Sequence, residues 1–216
     1  MSYPTLRLHP RKEESVLRFH PWIFSGAIAS FSAPVEDGDL VSVVDSKGRP
    51  LGAGHFGGGS IAVRLLSFDA EEVIDRAFYK RRLEAALRLR LSCDLVRPVG
   101  SSDSPNTTYR LVHGEGDSLP GLIIDIYDRT AVVQAHSLGM HQARQTIAEV
   151  LWEVFAEAGD PVLPLEGIYY KSETTLPTRD MRELASDGFL IGHTEAAPIY
   201  ENGVRFTPDW LKGQKT

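Results

Sequence analysis

Leu40-Val41-Ser42-Val43-Val44-Asp45-Ser46-Lys47-Gly48 is the stretch on which the reading of the first third of this chain turns. A β-rich run ends in a tetrapeptide with turn chemistry, and Glu36-Asp37-Gly38-Asp39 supplies another turn just before it. Working outward, Leu51 to Phe56 reads as the next strand. Ile61-Ala62-Val63-Arg64-Leu65-Leu66 is an apolar run suited to a buried strand. Short strands joined by Gly-rich turns across residues 5–68 predict a small β-barrel. Gly57-Gly58-Gly59-Ser60 invites a phosphate-loop reading, but neither Lys-Ser/Thr nor a helix follows it. A hairpin loop is the expectation there.

Beyond the barrel, residues 69–95 predict a helix, with Asp69 as N-cap and Glu71 and Glu72 at the positive end of the dipole. Ile74, Ala77, Phe78, Ala85 and Leu89 fall on one face, and Leu83, Leu87 and Leu91 nearly opposite. Such a helix is expected to be clamped between two layers. Its basic run, Arg76, Lys80, Arg81, Arg82, Arg88 and Arg90, fits either RNA contact or a solvated flank. Residues 96–108 read as a loop. Strands follow at Tyr109 to His113, Gly121 to Tyr127 and Thr130 to His136. A helix from Met140 to Ala158 then carries the stripe Ile147, Val150, Leu151, Val154 and Phe155. Two strands, Glu166 to Ser172 and Gly188 to His193, complete an α+β unit over residues 96–196. Residues 197–216 read as a hairpin turning at Asn202-Gly203, then a polar Lys-Gly-Gln-Lys-Thr segment. A new hairpin at this point predicts the front part of a larger protein.

Composition sets limits. No stretch of 18 apolar residues occurs, and the polar N-terminus lacks a signal-peptide core. Cys93 is the single cysteine, so an intrachain disulfide and a thiolate metal cage are excluded; the cytoplasm is the default compartment. The net charge of −6 argues against a generic polyanion binder. Its distribution is uneven. Residues 1–68 and 69–100 each carry seven Lys/Arg against six Asp/Glu, whereas residues 101–216 carry nine against seventeen. A local basic face on the first hundred residues remains open.

Candidate chemistry is sparse. His113, Glu115 and Asp117 alternate, which on an extended strand would aim three potential metal ligands one way. The glycines between them, with Ser118-Leu119-Pro120-Gly121, favour a tight turn. His20-Pro21-Trp22 starts a strand, with His20 held extended by the proline, Trp22 read as a core aromatic, and Arg18 and His20 flanking a groove. Arg7, Arg11, Lys12, Arg18, Arg49 and Arg64 are the barrel's candidate RNA contacts. No catalytic triad, Walker loop or dinucleotide fingerprint is present, and Cys93 has no motif around it.

Four stretches carry a resemblance. They are Arg18 to Ile28, Ile61 to Ser67, Tyr109 to Asp125, and Gly213-Gln214-Lys215-Thr216. They resemble bacterial 23S rRNA (cytosine-C5) methyltransferases that depend on S-adenosylmethionine (SAM). The resemblance implies an N-terminal PUA domain, a central EEHEE-type domain, and a C-terminal Rossmann-type methyltransferase domain lying beyond this chain. On that reading residues 1–68 are a PUA-like RNA-binding barrel and 69–95 a linker helix. Residues 96–196 are the central domain, and 197–216 are the first hairpin of the missing one. The resemblance implies no catalytic residue and no cofactor in this chain, with SAM bound only in the full-length family. It also implies structured RNA, 23S rRNA, as partner, and no membrane; a homodimer is left open. Arg7, Arg11, Lys12, Arg18, His20, Arg49 and Arg64 are the expected RNA contacts. Glu115, Asp117, Pro120 and Gly121 form the expected interdomain turn, facing the missing domain. Gly57-Gly58-Gly59 departs from the Asn-Pro turn more usual in the family. The alternative is a free-standing RNA-binding or protein-interaction module.

Overall fold

A computed structural model describes residues 3–176 and 186–210. Six strands build the first unit: β1 (Thr5–Leu8), β2 (Trp22–Phe24), β3 (Ile28–Phe31), β4 (Leu40–Val44), β5 (Pro50–Phe56) and β6 (Ile61–Ser67). Their order is β2-β6-β5-β4-β1-β3, antiparallel except for the parallel pair β1–β4. The two edge strands, β2 and β3, are consecutive in the chain and joined by one 3-10 turn, Ser25–Ala27. The sheet must therefore curl until its edges meet. Alternation in β4 turns Val41 and Val43 inward, where they meet Leu6, Leu8, Ile23, Val63 and Leu65. Burying each of these is worth about 1.5–3 kcal/mol. The turn after β4 is tied by Asp45, whose Oδ1 accepts from the amides of Lys47 and Arg49, each at 2.8 Å.

The expected helix is shorter than its pattern suggests. α2 (Arg76–Ser92) starts seven residues after Asp69, following a one-turn α1 (Glu14–Leu17) between β1 and β2. Its N-cap is Asp75, whose side chain accepts from Phe78 N at 2.9 Å. Asp69 instead closes its own turn onto Glu71 N at 2.9 Å, and the Ile74 amide is taken by the Tyr3 hydroxyl. The segment before Asp75 is thus bonded locally and to the N-terminal segment, outside the helix. The two-faced burial is also corrected. Phe78, Tyr79, Leu83, Ala86, Leu87 and Arg90 form one buried stripe, while Ala77, Ala85 and Leu89 face solvent. One face packs against a helix and a strand, and nothing covers the other among the described residues.

The second sheet contains β7 (Thr108–His113), β8 (Leu122–Tyr127), β9 (Thr130–Ala135), β10 (Gly167–Tyr170) and β11 (Gly188–Gly192), in the order β11-β10-β9-β8-β7. The single parallel pair, β9–β10, is bridged by α3 (Leu138–Gln142) and α4 (Arg144–Glu157). The expected stripe of α4, Ile147, Val150, Leu151, Val154 and Phe155, is buried throughout and shares one core with α2 and the sheet. The hairpin β12 (Ile199–Glu201) and β13 (Val204–Phe206) turns at Asn202-Gly203, both with positive φ, as a two-residue turn of this composition requires. It docks on the segment before β7: Thr107 N donates to Tyr200 O at 2.8 Å, and Gly203 N to Pro105 O at 2.8 Å. The Gly213-Gln214-Lys215-Thr216 segment lies outside the described residues. No helix is long and apolar enough to cross a membrane among those residues.

Candidate nucleic-acid interface

Register places one row of side chains across four barrel strands. Trp22 on β2 is opposite Arg64 on β6, Arg64 is opposite His55 on β5, and His55 is opposite Leu40 on β4. Directly opposed residues of antiparallel strands point to the same face. That face meets the second unit. Trp22 Nε1 donates to Glu115 Oε1 at 2.7 Å, and Leu40 packs on the second core. The His55 ring sits so close over Gly139 at the start of α3 that no Cβ would fit there. Arg64 Cδ lies 3.5 Å from where a Cβ on Gly121 would stand. Trp22, expected as a core aromatic, is therefore a half-buried donor at the seam between the two units.

Arg64 is the unusual member of the row. It is half-buried, and its guanidinium has no hydrogen bond or ion pair among the described residues. Burial pushes its pKa down, and the Glu115 carboxylate opposes that shift. Nearby, Arg110 holds Asp125 through Nε at 2.8 Å and stands 3.3 Å from His113 Nδ1. The His136 imidazole is held below its usual pKa by partial burial, then by the charges of Arg110 and Arg64, with Glu115 opposing. Several cations thus act on one small region, and Arg64 has donors to offer a ligand anion.

The other expected contacts fall into two groups. Arg7 donates to the carbonyls of Asp45 and Ser46, and Arg49 pairs with Asp45 at 2.6 Å, so both brace the turn after β4. Arg11, Lys12, Arg18 and His20 lie on the exposed connection between β1 and β2. His20 Nδ1 accepts from Trp22 N at 3.1 Å, and its ring meets the Trp22 ring edge-on. Beside them, exposed Phe19 packs edge-to-face on Phe68 at 5.3 Å. In contrast, all six candidate cations of α2 are paired. Arg76 and Lys80 reach Glu149, Glu153 and Glu157 on α4; Arg81 and Arg82 share Glu72; Arg88 meets Glu84; Arg90 meets Asp117.

The Gly114–Gly121 segment is a rigid turn. A 3-10 turn (Gly114–Asp117) leads to Ser118 in the left-handed region, then to buried Pro120 and Gly121 at φ 85°. Its carboxylates have partners within the described chain. Asp117 accepts from His113 N at 2.6 Å and forms a two-pronged pair with buried Arg90, one prong at 2.8 Å. Glu115 faces Trp22. The turn therefore braces the barrel and α2, and His113, Glu115 and Asp117 each serve a different partner. No group of three or more His, Cys, Asp or Glu is placed to hold a metal among the described residues. Sequence reasoning missed His55, His136 and the seam role of Trp22. The one available signal was Arg64 itself, a lone charge within the apolar run Ile61–Leu66.

The barrel matches a PUA-like domain model over residues 6–68. Over 214 residues the chain is 37% identical to ribosomal RNA large subunit methyltransferase I of Shewanella amazonensis, covering 98% of this chain and 50% of that protein. It is 34% identical over 217 residues to the enzyme of the same name from Klebsiella pneumoniae, covering 99% and 50%. The chain is homologous to these methyltransferases and spans about half their length. A crystal structure of a protein described as a methyltransferase, complexed with SAH, superimposes at TM-score 0.71 with 17% identity, covering 96% of this chain and 47% of that one. A second, described as a SAM-dependent methyltransferase from Streptococcus mutans, gives TM-score 0.71 at 18% identity, covering 96% and 48%. At such identity these two bear on the fold alone.

Proposed function

We propose that this chain is the RNA-binding and substrate-presenting N-terminal region of a SAM-dependent methyltransferase acting on carbon 5 of a cytosine in 23S rRNA, in the cytoplasm. The supporting observation is Arg64, a half-buried guanidinium with no hydrogen bond or ion pair among the described residues, set in the seam of a PUA-like barrel. The homologous enzymes are named for ribosomal RNA, which makes structured RNA the matching ligand. Arg64 binds a phosphate, and the exposed cations Arg11, Lys12 and Arg18 add screened attraction. Exposed Phe19 offers a ring to a splayed base. Holding the RNA in this way helps keep a target base out of its stack for a catalytic domain.

The described residues do not fit a SAM site of the Rossmann kind. Such a site needs a strand entering a Gly-rich loop at a helix N-terminus. The helical crossover between the parallel strands β9 and β10 leaves β9 through His136-Ser137-Leu138, and the glycine that follows, Gly139, is covered by the His55 ring. No step of methyl transfer is therefore assigned to these residues. The testing experiment is fluorescence anisotropy of the 216-residue chain with 23S rRNA fragments over a salt series. Saturable binding is expected, with a log–log salt slope that falls by about one in Arg64→Gln. Binding unaffected by salt and by Arg64→Gln would overturn the reading.

A further inference from the structure

Between the β5–β6 hairpin loop and the start of α3 lies a cleft of about 270 Å³. Its contents are ordered by chemistry. Arg64 stands at the seam side. Phe56 and Ile61 supply apolar surface, and Ser137 lines the wall on the second unit. His55 also lines the cleft, and its residue is only 6% exposed. His55 Nδ1 is fully buried with no hydrogen-bond partner among the described residues. Leaving such an atom unpaired is unfavourable, and a polar ligand that reaches it would relieve that cost. The rim is Gly57-Gly58-Gly59, three residues with no side chains to close the mouth. The Asp37 carboxylate comes within 3.0 Å of where a Cβ on Gly58 would stand, so an acceptor guards this rim.

We infer, resting on the RNA reading above, that this cleft is a subsite for one unstacked nucleotide of a single-stranded RNA segment, its base carrying an exocyclic amine. A nucleotide presents the matching groups: a phosphate for Arg64, a flat apolar face for Phe56 and Ile61, an amine for Asp37, and a polar ring edge for His55. The volume lies near the roughly 300 Å³ lower end of small-ligand clefts, which suits one nucleotide and excludes a duplex. The carboxylate at the rim disfavours a bare anion, since a phosphate in the cleft would meet the repulsion of Asp37 as well as the attraction of Arg64.

The test uses the full chain with two probes, a short single-stranded RNA of cytidine and adenosine, and free CMP. Gly59→Leu is the blocking variant, because no heavy atom lies within 4 Å of its Cβ position and its φ is not in the left-handed region. The melting temperature should hold, while oligonucleotide affinity falls about tenfold, the scale of one lost base contact. Ultraviolet crosslinking to the unaltered chain should map to residues 55–64 or 137–138, a readout that does not depend on the variant folding. An all-uridine oligonucleotide should bind more weakly. Equal binding by parent and Gly59→Leu, with crosslinks elsewhere, would overturn the subsite and leave the RNA reading standing. Displacement of the oligonucleotide by equimolar CMP would also overturn it, in favour of a free-nucleotide pocket. No binding to any RNA, 23S fragments included, would remove the RNA reading and the subsite together.

Discussion

Residues 69–100, which contain helix α2, and the barrel residues 1–68 hold equal charge, seven Lys/Arg against six Asp/Glu in each. In α2 all six candidate cations lie within 4 Å of a carboxylate, three of those carboxylates on α4. Its cations are paired within the fold, and two of them, Arg76 and Lys80, fasten α2 to α4. In the barrel, Arg7 and Arg49 are likewise spent on the Asp45 turn, but Arg64 is half-buried with no such partner among the described residues. The difference teaches that charge content does not mark an RNA surface. On the reading proposed above, the mark is a cation that the protein has positioned without a hydrogen bond or ion pair.

The comparison breaks most sharply at Arg90, the one α2 cation whose pair is buried, its side chain 10% exposed and that of Asp117 4%. Asp117→Ala strands a buried guanidinium and is expected to cost about 3–5 kcal/mol in urea unfolding. A loss below about 1 kcal/mol would mean that water or another acceptor replaces the carboxylate. The seam should respond to acid. Burial, reinforced by the charge of Arg64, lowers the His55 pKa from 6.5 to about 4. The unfolded chain then binds the proton more readily. The His55 contribution is complete above pH 6.5 and is lost as pH falls toward 4, a swing of about 3 kcal/mol. His55→Gln should flatten that part of the stability profile; an unchanged slope would show that His55 is not shielded in solution.

Gly121→Val tests the turn that joins the two regions. Its φ of 85° resists a β-branched residue, and its Cβ would meet Ser137 Oγ at 2.8 Å. The expected loss is about 1–3 kcal/mol, read as a lower Tm. Arg64→Gln should leave Tm nearly unchanged while weakening RNA binding about tenfold, whereas Arg81→Gln should leave RNA affinity within about twofold. Equal losses from both would erase the distinction between the regions. The smallest effect belongs to Lys80→Gln, which removes exposed contacts to Glu153 and Glu157. It should change stability by no more than about 1 kcal/mol, and less at high salt.

Much of the scaffold was legible from the chain alone. Period-two alternation in Leu40–Val44, the helical stripe from Ile147 to Phe155, the Asn202-Gly203 turn and the need for a positive φ at Gly121 are local properties. They depend on neighbours a few residues away and on backbone sterics, so they survive without knowledge of the fold. The start of α2 was misread because Asp69 and Asp75 are both good caps. The choice fell to the Tyr3 hydroxyl, which takes the Ile74 amide from 71 residues away. The site was still less legible. Trp22, Arg64 and His55 become neighbours only through the β2-β6-β5 register, and Glu115 reaches Trp22 across 93 residues. Sequence fixes how many cations the chain owns. Which carboxylates come within 4 Å of them is a long-range property of packing, and only the tertiary structure decides it.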